Sequence, residues 1–221
     1  MNLINGKLQI SHTVYYSVQV PDGKGPHPLL IVLHGWGQVA GQFVKVFEPL
    51  TKKGILVAAP QAAHQFYTQM EERRVGFSWL TRYQRDQSVS DFVAYMEQFY
   101  NMLQETFEVD TERVFILGFS QGVSMAYRTW AHSSLPLQGL IACGGDLPSD
   151  ILEQLDSLRP IQILLVHGRR DENVSPEEAR QAREHLTAAG LRPELFDFEG
   201  GHVVPSSALG TIEGMLQSGA N

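Results

Sequence analysis

The nine residues from Val114 to Gly122 read VFILGFSQG, an apolar run that ends in a G-x-S-x-G pentapeptide. A serine at the centre of this pattern is typical of a sharp, strained turn from a strand into a helix, which leaves its hydroxyl exposed. Glycines two residues to either side let the neighbouring chain pass without Cβ clashes. The stretch therefore predicts a strand, a tight turn and a helix, with Ser120 as a candidate nucleophile. A glycine-rich turn with a helix-capping serine is the alternative.

Short apolar runs alternate with helical patterns on both sides of this stretch, which predicts an α/β fold with a largely parallel sheet. The run LLIVL at 29–33 is apolar throughout, as expected for a strand covered by helices on both faces. Residues 12–20 alternate more and predict an antiparallel edge strand. The remaining strands are predicted at 55–59, 114–118, 140–143, 161–167 and 194–198.

Two helices are clearly marked. Residues 88–107 carry an apolar stripe at helical spacing and open with Ser88 and Asp91 in the arrangement of a capping box. The second begins with Ser175 as N-cap, followed by proline and two glutamates, and ends at Gly190. Weaker helices are predicted at 42–53, 121–132, 151–158 and 205–217.

Composition limits the class of protein. With 221 residues, 43% hydrophobic and 19% charged, the chain is expected to fold as a single domain, 1–221. The formal net charge of −7 argues against nucleic acid and anionic membranes as partners. The one cysteine, Cys143, excludes an internal disulfide and is expected to be a small buried hydrophobe. With no signal-peptide pattern and no apolar run of about 18 residues, the sequence predicts a cytoplasmic protein without membrane insertion.

A base for Ser120 is sought among the histidines that follow it, because a serine nucleophile needs a general base. His202 ends the run EGGH at 199–202, just past the last predicted strand, where ligands meet an open α/β sheet. His132 and His185 fall inside helical patterns, and His167 ends a strand before the plausible acid. His202 is therefore the predicted base, with a polar loop residue as the alternative.

The acid is sought between the serine and the base, in the chain order Ser, Asp or Glu, His. Asp171 ends the run VHGRRD at 166–171, again beyond the carboxyl end of a predicted strand. Asp146 and Glu172 are its rivals. Three candidates in the right order, each beyond a separate strand, favour a catalytic interpretation over a coincidence of loop residues.

An oxyanion hole is expected from two backbone N–H groups, one of them in the residue after the nucleophile, Gln121. The other is assigned to Trp36, in the HGWG turn at 34–37 that directly follows an early apolar strand. The Trp36 side chain is also expected to wall a substrate pocket. A tight turn without this role is the alternative.

Together, HGWG at 34–37, GFSQG at 118–122, HGRRDENVSP at 167–176 and GGH at 200–202 resemble the phospholipase/carboxylesterase branch of the α/β-hydrolase superfamily, over about residues 29–202. The resemblance implies Ser120 as nucleophile, Asp171 as acid and His202 as base. It also implies the N–H groups of Trp36 and Gln121 as the oxyanion hole, no metal and no cofactor. Some members of the branch form homodimers, so self-association is an expectation to test. Because the motifs use most of the chain, no separate cap domain is expected.

Two departures concern the thioesterases of that branch, which tend to carry an Asp after the HGxG turn and a Trp-Phe-Asp-like segment later on. This chain has Gln38 at the first position and GFSW at 76–79, which argues against protein depalmitoylation. The surrounding stretch 61–87 shows little periodicity and is predicted to be a functional loop region. Within it Phe77 and Trp79 are expected to line the substrate pocket, with ordinary loop packing as the alternative.

The sequence thus predicts a serine carboxylesterase that acts on small or accessible esters. The alternatives are an acyl-protein or acyl-CoA thioesterase or lysophospholipase with the same three residues, and a non-catalytic ligand-binding module of the same fold. The expected partner is a small-molecule ester.

Overall fold

In the computed structural model, which describes residues 1–218, a central sheet and a separate hairpin contain all nine strands. The strands are β1 (Tyr16–Gln19), β2 (His27–Leu33), β3 (Leu56–Pro60), β4 (His64–Gln69), β5 (Arg74–Ser78), β6 (Val109–Phe119), β7 (Leu137–Cys143), β8 (Gln162–Gly168) and β9 (Glu194–Phe198). β4 and β5 form the hairpin, and the other seven form the sheet in the order β1-β3-β2-β6-β7-β8-β9. Within this seven-stranded sheet only β1 is antiparallel to its neighbour, so the predicted parallel sheet with an antiparallel edge is confirmed.

Helices cover both faces of this sheet. They are α1 (Ala40–Phe43), α2 (Glu48–Thr51), α3 (Arg85–Thr106), α4 (Gln121–His132), α5 (Ser149–Leu152), α6 (Pro176–Ala188) and α7 (Leu209–Gln217). Successive strand residues face opposite ways, so Ile31 of β2 joins the core under α3, α4 and α6, whereas Val32 joins the core under α1, α2 and α7. The predicted architecture is confirmed, and residues 1–218 contain no separate cap domain.

Helix starts follow local hydrogen bonding, and one prediction is corrected. Ser175 caps α6 as expected, because its Oγ accepts from the Glu177 N–H at 3.3 Å. α3, however, begins at Arg85 and not at Ser88. Gln84 precedes it in the left-handed region (φ 48°), and the Ser88 hydroxyl donates to the Gln84 carbonyl instead of capping the helix.

The stretch 61–87 is not a loop region throughout, since it contains the β4–β5 hairpin with Tyr67 opposite Val75. The hairpin was not evident in the sequence because several polar side chains on both strands are exposed. The helix predicted over 42–53 is interrupted: α1 passes into a 3-10 turn at Val44–Phe47, and α2 starts afresh with Pro49 in its first turn. The helices predicted at 151–158 and 205–217 are likewise each divided into an α-helix and a 3-10 turn.

The N-terminal part of the chain contributes little regular structure. Residues 1–15 lie in neither helix nor strand, so the strand predicted over 12–20 shortens to β1. Among the helices within residues 1–218, none combines the length and the apolar character needed to cross a bilayer.

The junction of β6 and α4 depends on a close backbone approach, which gives a stability prediction. A Cβ at Gly122 would collide with the Leu33 carbonyl oxygen of β2, a backbone atom that cannot rotate away. We expect Gly122→Ala to lower the free energy of unfolding by about 3 kcal/mol or more, as measured by urea denaturation. Gly210→Ala is the control, since this exposed position in α7 has nothing within 4 Å of an added Cβ. That variant should be more stable than the parent protein by about 0.5–1 kcal/mol, because alanine favours a helix more than glycine does. Equal stabilities of the two variants would contradict the expectation.

Candidate active site

Ser120 lies on the strained turn that the sequence predicts. Its backbone has φ 54° and ψ −120°, between the end of β6 and the start of α4. The Ser120 N–H donates to the Cys143 carbonyl of β7 at 3.0 Å, and Gly118 and Gly122 pass each other where no Cβ would fit. A non-glycine residue in this region costs of order 1–3 kcal/mol, so the surrounding contacts must hold it there. The side chain is half-buried at the carboxyl edge of the sheet.

His34 is a structural residue of the turn after β2. Its buried ring accepts from the Ala62 N–H at Nε2 (3.2 Å), and Nδ1 lies 2.8 Å from the Gly35 carbonyl. Because a backbone N–H can only donate, Nε2 is the acceptor and Nδ1 carries the proton that is donated to Gly35. Burial lowers the pKa of His34 to about 4, against a weaker opposing effect of the Gly35 hydrogen bond, so the ring is neutral near pH 7.

The same turn leaves the Trp36 N–H unused. Gln38 Oε1 accepts from the Gly35 N–H at 2.7 Å, and Gly37, at φ 76°, donates to the Phe77 carbonyl of β5 at 2.8 Å. Among residues 1–218 the Trp36 N–H between them has no acceptor. The Trp36 ring is 62% exposed and packs against Phe66 of β4, with centroids 4.8 Å apart.

Gln121 is held by its side chain to the segment that follows β5. Its Oε1 accepts from the Trp79 N–H at 3.0 Å, and its Nε2 donates to the Leu80 carbonyl at 3.1 Å and to Ser78 Oγ at 2.9 Å. As the first residue of α4, Gln121 has a backbone N–H without an acceptor inside the helix. The two N–H groups predicted for an oxyanion hole therefore lie on segments that are both tied to the hairpin.

Asp171 follows β8 and is bound from three sides. Its side chain is 1% exposed; Oδ1 accepts from the Asn173 and Val174 N–H groups at 2.9 and 3.0 Å, and Oδ2 from His202 Nδ1 at 2.7 Å. Burial by itself would raise the pKa of Asp171, but these hydrogen bonds outweigh it and hold the pKa below the usual value. The carboxylate is therefore ionised near neutral pH.

His202 is oriented by this carboxylate. Because the Asp171 carboxylate can only accept, the proton of the neutral His202 ring lies on Nδ1, and Nε2 is free to accept a hydrogen bond. The His202 ring packs on Phe119, the residue before Ser120, with centroids 4.8 Å apart, and a Cβ at Gly144 would lie 3.3 Å from His202 Nδ1. In the described part of the chain no hydrogen bond joins His202 to Ser120 Oγ. Such bonds are often long in unliganded enzymes and shorten when substrate binds.

The other residues considered as base or acid lie away from Asp171 and His202 or have a structural role. His167 is buried, lies 3.0 Å from the Val174 carbonyl and 3.5 Å from Asp171 Oδ2, and supports the loop that carries the acid. His132 and His185 are exposed on helices, and Glu172 is exposed beside Asp171. Asp171 is thus hydrogen-bonded to His202 and flanked by His167, whereas His132 and His185 lie away from it.

A cavity of about 360 Å³ opens beside Ser120. Ser120, Gln121, Leu80 and Pro148 line it, together with Arg85, Arg128 and Asp146. Trp79 does not: it is 3% exposed in the core, and its indole N–H donates to the His34 carbonyl at 2.7 Å. Trp79 therefore packs in the core and has no part in the wall of this cavity, while its predicted pocket role stays a prediction. Phe77 packs against the same core and is also absent from the wall, while an acyl-pocket role for Trp36 stays a prediction.

The sequence also did not reveal side chains that contact residues far away in the chain. The side-chain bonds of Gln121 to Ser78 and Leu80 span more than forty residues, and the pairing of Arg128 with Asp150 joins α4 to α5. The one available signal was an arginine within the largely apolar pattern of α4.

Other reactive groups near the site are limited. Burial raises the pKa of the Cys143 thiol, which lies 3.7 Å from the Val203 carbonyl. Within residues 1–218 no group of three or more His, Cys, Asp or Glu side chains is arranged to hold a metal ion.

Comparison with known proteins gives matches at two levels. The family model for Phospholipase/Carboxylesterase matches residues 15–218. A relative from Dictyostelium discoideum, Acyl-protein thioesterase 1 homolog 1, is 32% identical over 98 residues, which are 43% of this chain and 43% of the relative. The chain therefore matches less than half the length of that relative.

Solved structures give the same fold. Esterase PE8 superposes with a TM-score of 0.73 at 21% identity, over 93% of this chain and 98% of that one. Arabidopsis thaliana SOBER1 has a TM-score of 0.71 at 20% identity, over 87% of this chain and 98% of its own. At these identities the likeness establishes the α/β-hydrolase fold, as the sequence motifs predict.

The bond between Asp171 and His202 yields a prediction for turnover. Asp171→Asn keeps the size of the side chain but removes the charge that fixes the histidine tautomer, so kcat/KM for phenyl acetate should fall about 10³- to 10⁴-fold. Glu172→Gln, the exposed neighbour, should stay within about threefold of the parent protein, because a side chain with no role in the reaction contributes little to the transition state. A folded Asp171→Asn protein with near-parental kcat/KM would contradict this role.

The buried neutral His34 yields a prediction for acid stability. In the unfolded chain it takes up a proton as the pH falls below about 6.5, whereas in the folded chain it does so only near 4. The unfolded state then binds more protons, so stability should decline by roughly 3 kcal/mol over this interval because of His34 alone. Urea unfolding across pH 4–7 measures it, and His34→Asn should flatten the slope. The exposed His12→Asn should leave the slope unchanged; equal slopes in all three proteins would contradict the expectation.

Proposed function

The chain belongs to the phospholipase/carboxylesterase family, whose members are serine hydrolases, and we propose that it is a carboxylesterase for small or accessible esters. Ser120 is the nucleophile, His202 the general base and Asp171 the acid that orients it. The observation that carries the proposal is the 2.7 Å bond from His202 Nδ1 to a buried, ionised Asp171, with the histidine ring packed on the residue before a strained serine.

In the first half-reaction, Ser120 Oγ attacks the carbonyl carbon of the ester while His202 Nε2 takes its proton. The Oγ–C bond forms and the carbonyl π electrons move to oxygen. When the carbonyl re-forms, the bond to the leaving alkoxide breaks, and His202 donates the proton to it. Between these two proton transfers the His202 ring is positively charged, and the ionised Asp171 carboxylate stabilises that charge.

The negative oxygen of the intermediate is held by the N–H groups of Trp36 and Gln121. Among residues 1–218 each lacks an acceptor, and each lies on a segment fixed by side-chain or backbone bonds before substrate arrives. Loss of one such donor typically costs about 2.7–4 kcal/mol of transition-state stabilisation. In the second half-reaction water replaces the serine as nucleophile, and the same groups return the enzyme to its starting state.

A thioesterase that uses the same residues is the second candidate, favoured by the likeness to the Dictyostelium discoideum acyl-protein thioesterase homologue. The charged residues Arg85 and Asp146 in the wall of the cavity beside Ser120 favour a short polar ester over a long acyl chain. Matched oxygen and sulfur esters of one short acid distinguish the two, since a thioesterase hydrolyses the sulfur ester with the higher kcat/KM.

A covalent probe tests the nucleophile directly. A fluorophosphonate should label the parent protein on one peptide that contains Ser120, located by mass spectrometry, because only an activated serine reacts readily. Ser120→Ala should abolish both label and turnover. Ser133→Ala, at the far end of α4, should retain both. Labelling that survives in folded Ser120→Ala would overturn the assignment.

A further inference from the structure

The cavity beside Ser120 has two arginines in its wall, Arg85 and Arg128. Both bind the same carboxylate: Arg128 donates to Asp150 from Nη2 at 2.7 Å and from Nε at 2.9 Å, and Arg85 from Nη2 at 3.2 Å. Asp150 itself is not part of the wall. Both arginines therefore line the cavity, and a residue outside its wall supplies the carboxylate that fixes them.

The charges in this cluster do not cancel. The Arg128 side chain is 1% exposed and uses the two-pronged side of its guanidinium on Asp150, so these two form a neutral pair. Arg85 is 47% exposed and spends one of its five N–H groups on Asp150. Among the described residues its other side-chain N–H groups have no acceptor. One positive charge with free donors is thus left at the cavity, held in place by Asp150.

Two helix N-termini add to the positive charge at the wall, and one carboxylate opposes it. Arg85 is the first residue of α3 and Gln121 the first of α4, so two long helices direct their positive ends to this cavity. Asp146 is the one carboxylate that residues 1–218 contribute to the wall. It is exposed and forms no ion pair with either arginine, so it leaves Arg85 available.

Ser120 lines the same cavity as the two arginines, so a short substrate can reach both the nucleophile and Arg85. Arg128 Nη1 donates to the Ser124 carbonyl at 3.2 Å, one helical turn beyond Ser120, or about 6 Å along the axis of α4. Arg85 lies beside it through the shared Asp150.

We propose that this cavity binds a carboxylate on the substrate, that Arg85 is the residue that selects it, and that the preferred substrates are short esters carrying such a group. The proposal rests on the esterase function proposed above and names its substrate class. A carboxylate on the acyl side would accept from Arg85 while the ester carbonyl lies against the Trp36 and Gln121 N–H groups. A carboxylate on the alcohol side has the same chemistry.

Two pairs of esters of nearly equal shape test the proposal and separate these two sources. Ethyl hydrogen glutarate and ethyl 5-oxohexanoate place a carboxylate or a neutral ketone on the acyl side. 4-Acetoxybenzoate and 4-acetoxyacetophenone do the same on the alcohol side. Proton release in a pH-stat at pH 7.5 gives kcat/KM for each. In at least one pair we expect the anionic ester to be favoured about 10- to 100-fold, the usual worth of a charge-assisted hydrogen bond.

Variants assign the preference to Arg85. Arg85→Gln should remove it, mainly through KM and with little change for the neutral esters, whereas Arg85→Lys should keep most of it. Arg82→Gln is the matched control, because this exposed arginine lies three residues earlier and outside the cavity wall. Arg128 is left unchanged because a buried partner of Asp150 is needed for folding.

The outcomes separate this inference from the proposed function. Ser120-dependent hydrolysis with no preference for either anionic ester, or a preference that persists in Arg85→Gln, overturns the inference and leaves the esterase intact. If no ester, phenyl acetate included, is hydrolysed in a Ser120-dependent way, the proposed function fails and takes the inference with it.

Discussion

The strained backbone of Ser120 is the constraint on which the rest of the site depends. A serine at φ 54° exists only because β6 and α4 approach so closely that Gly118 and Gly122 can carry no Cβ, and because Cys143 of β7 accepts its N–H. The turn directs Oγ away from the sheet and puts the Gln121 N–H at the start of a helix. The free energy stored at this one residue comes from the packing of the central strands, so catalysis and folding share the same contacts.

The site is assembled from loops at one edge of a parallel sheet. β2 is followed by the turn with Trp36, β6 by Ser120, β8 by Asp171 and β9 by His202. Each side chain is then fixed locally, Asp171 by two backbone N–H groups and His202 by Asp171. Buried groups that carry no chemistry, such as the neutral His34, hold the turns in shape.

The sequence was sufficient for what depends on neighbours in the chain. The parallel strands, the α4 and α6 helices and the loop positions of Ser120, Asp171 and His202 all follow from local apolar runs and glycine patterns. What it could not supply depends on contacts between distant residues. Trp79 looks like an exposed loop aromatic until its indole is seen to reach the His34 carbonyl. The start of α3 depends on one left-handed residue, Gln84. The position of Arg128 in the cavity wall depends on Asp150, which lies 22 residues away in the sequence.

The β4–β5 hairpin has two parts with different freedom. Its base is hydrogen-bonded to the segments that carry both proposed oxyanion donors, through the Phe77 carbonyl on Gly37 and through the segment that binds the Gln121 side chain. Its tip around Met70 is exposed and touches none of these groups. The two ends of the hairpin can therefore change independently of each other. Substitutions at the tip can leave the hydrogen bonds of the base unchanged, so the hairpin can vary at one end without disturbing the segments that carry Trp36 and Gln121.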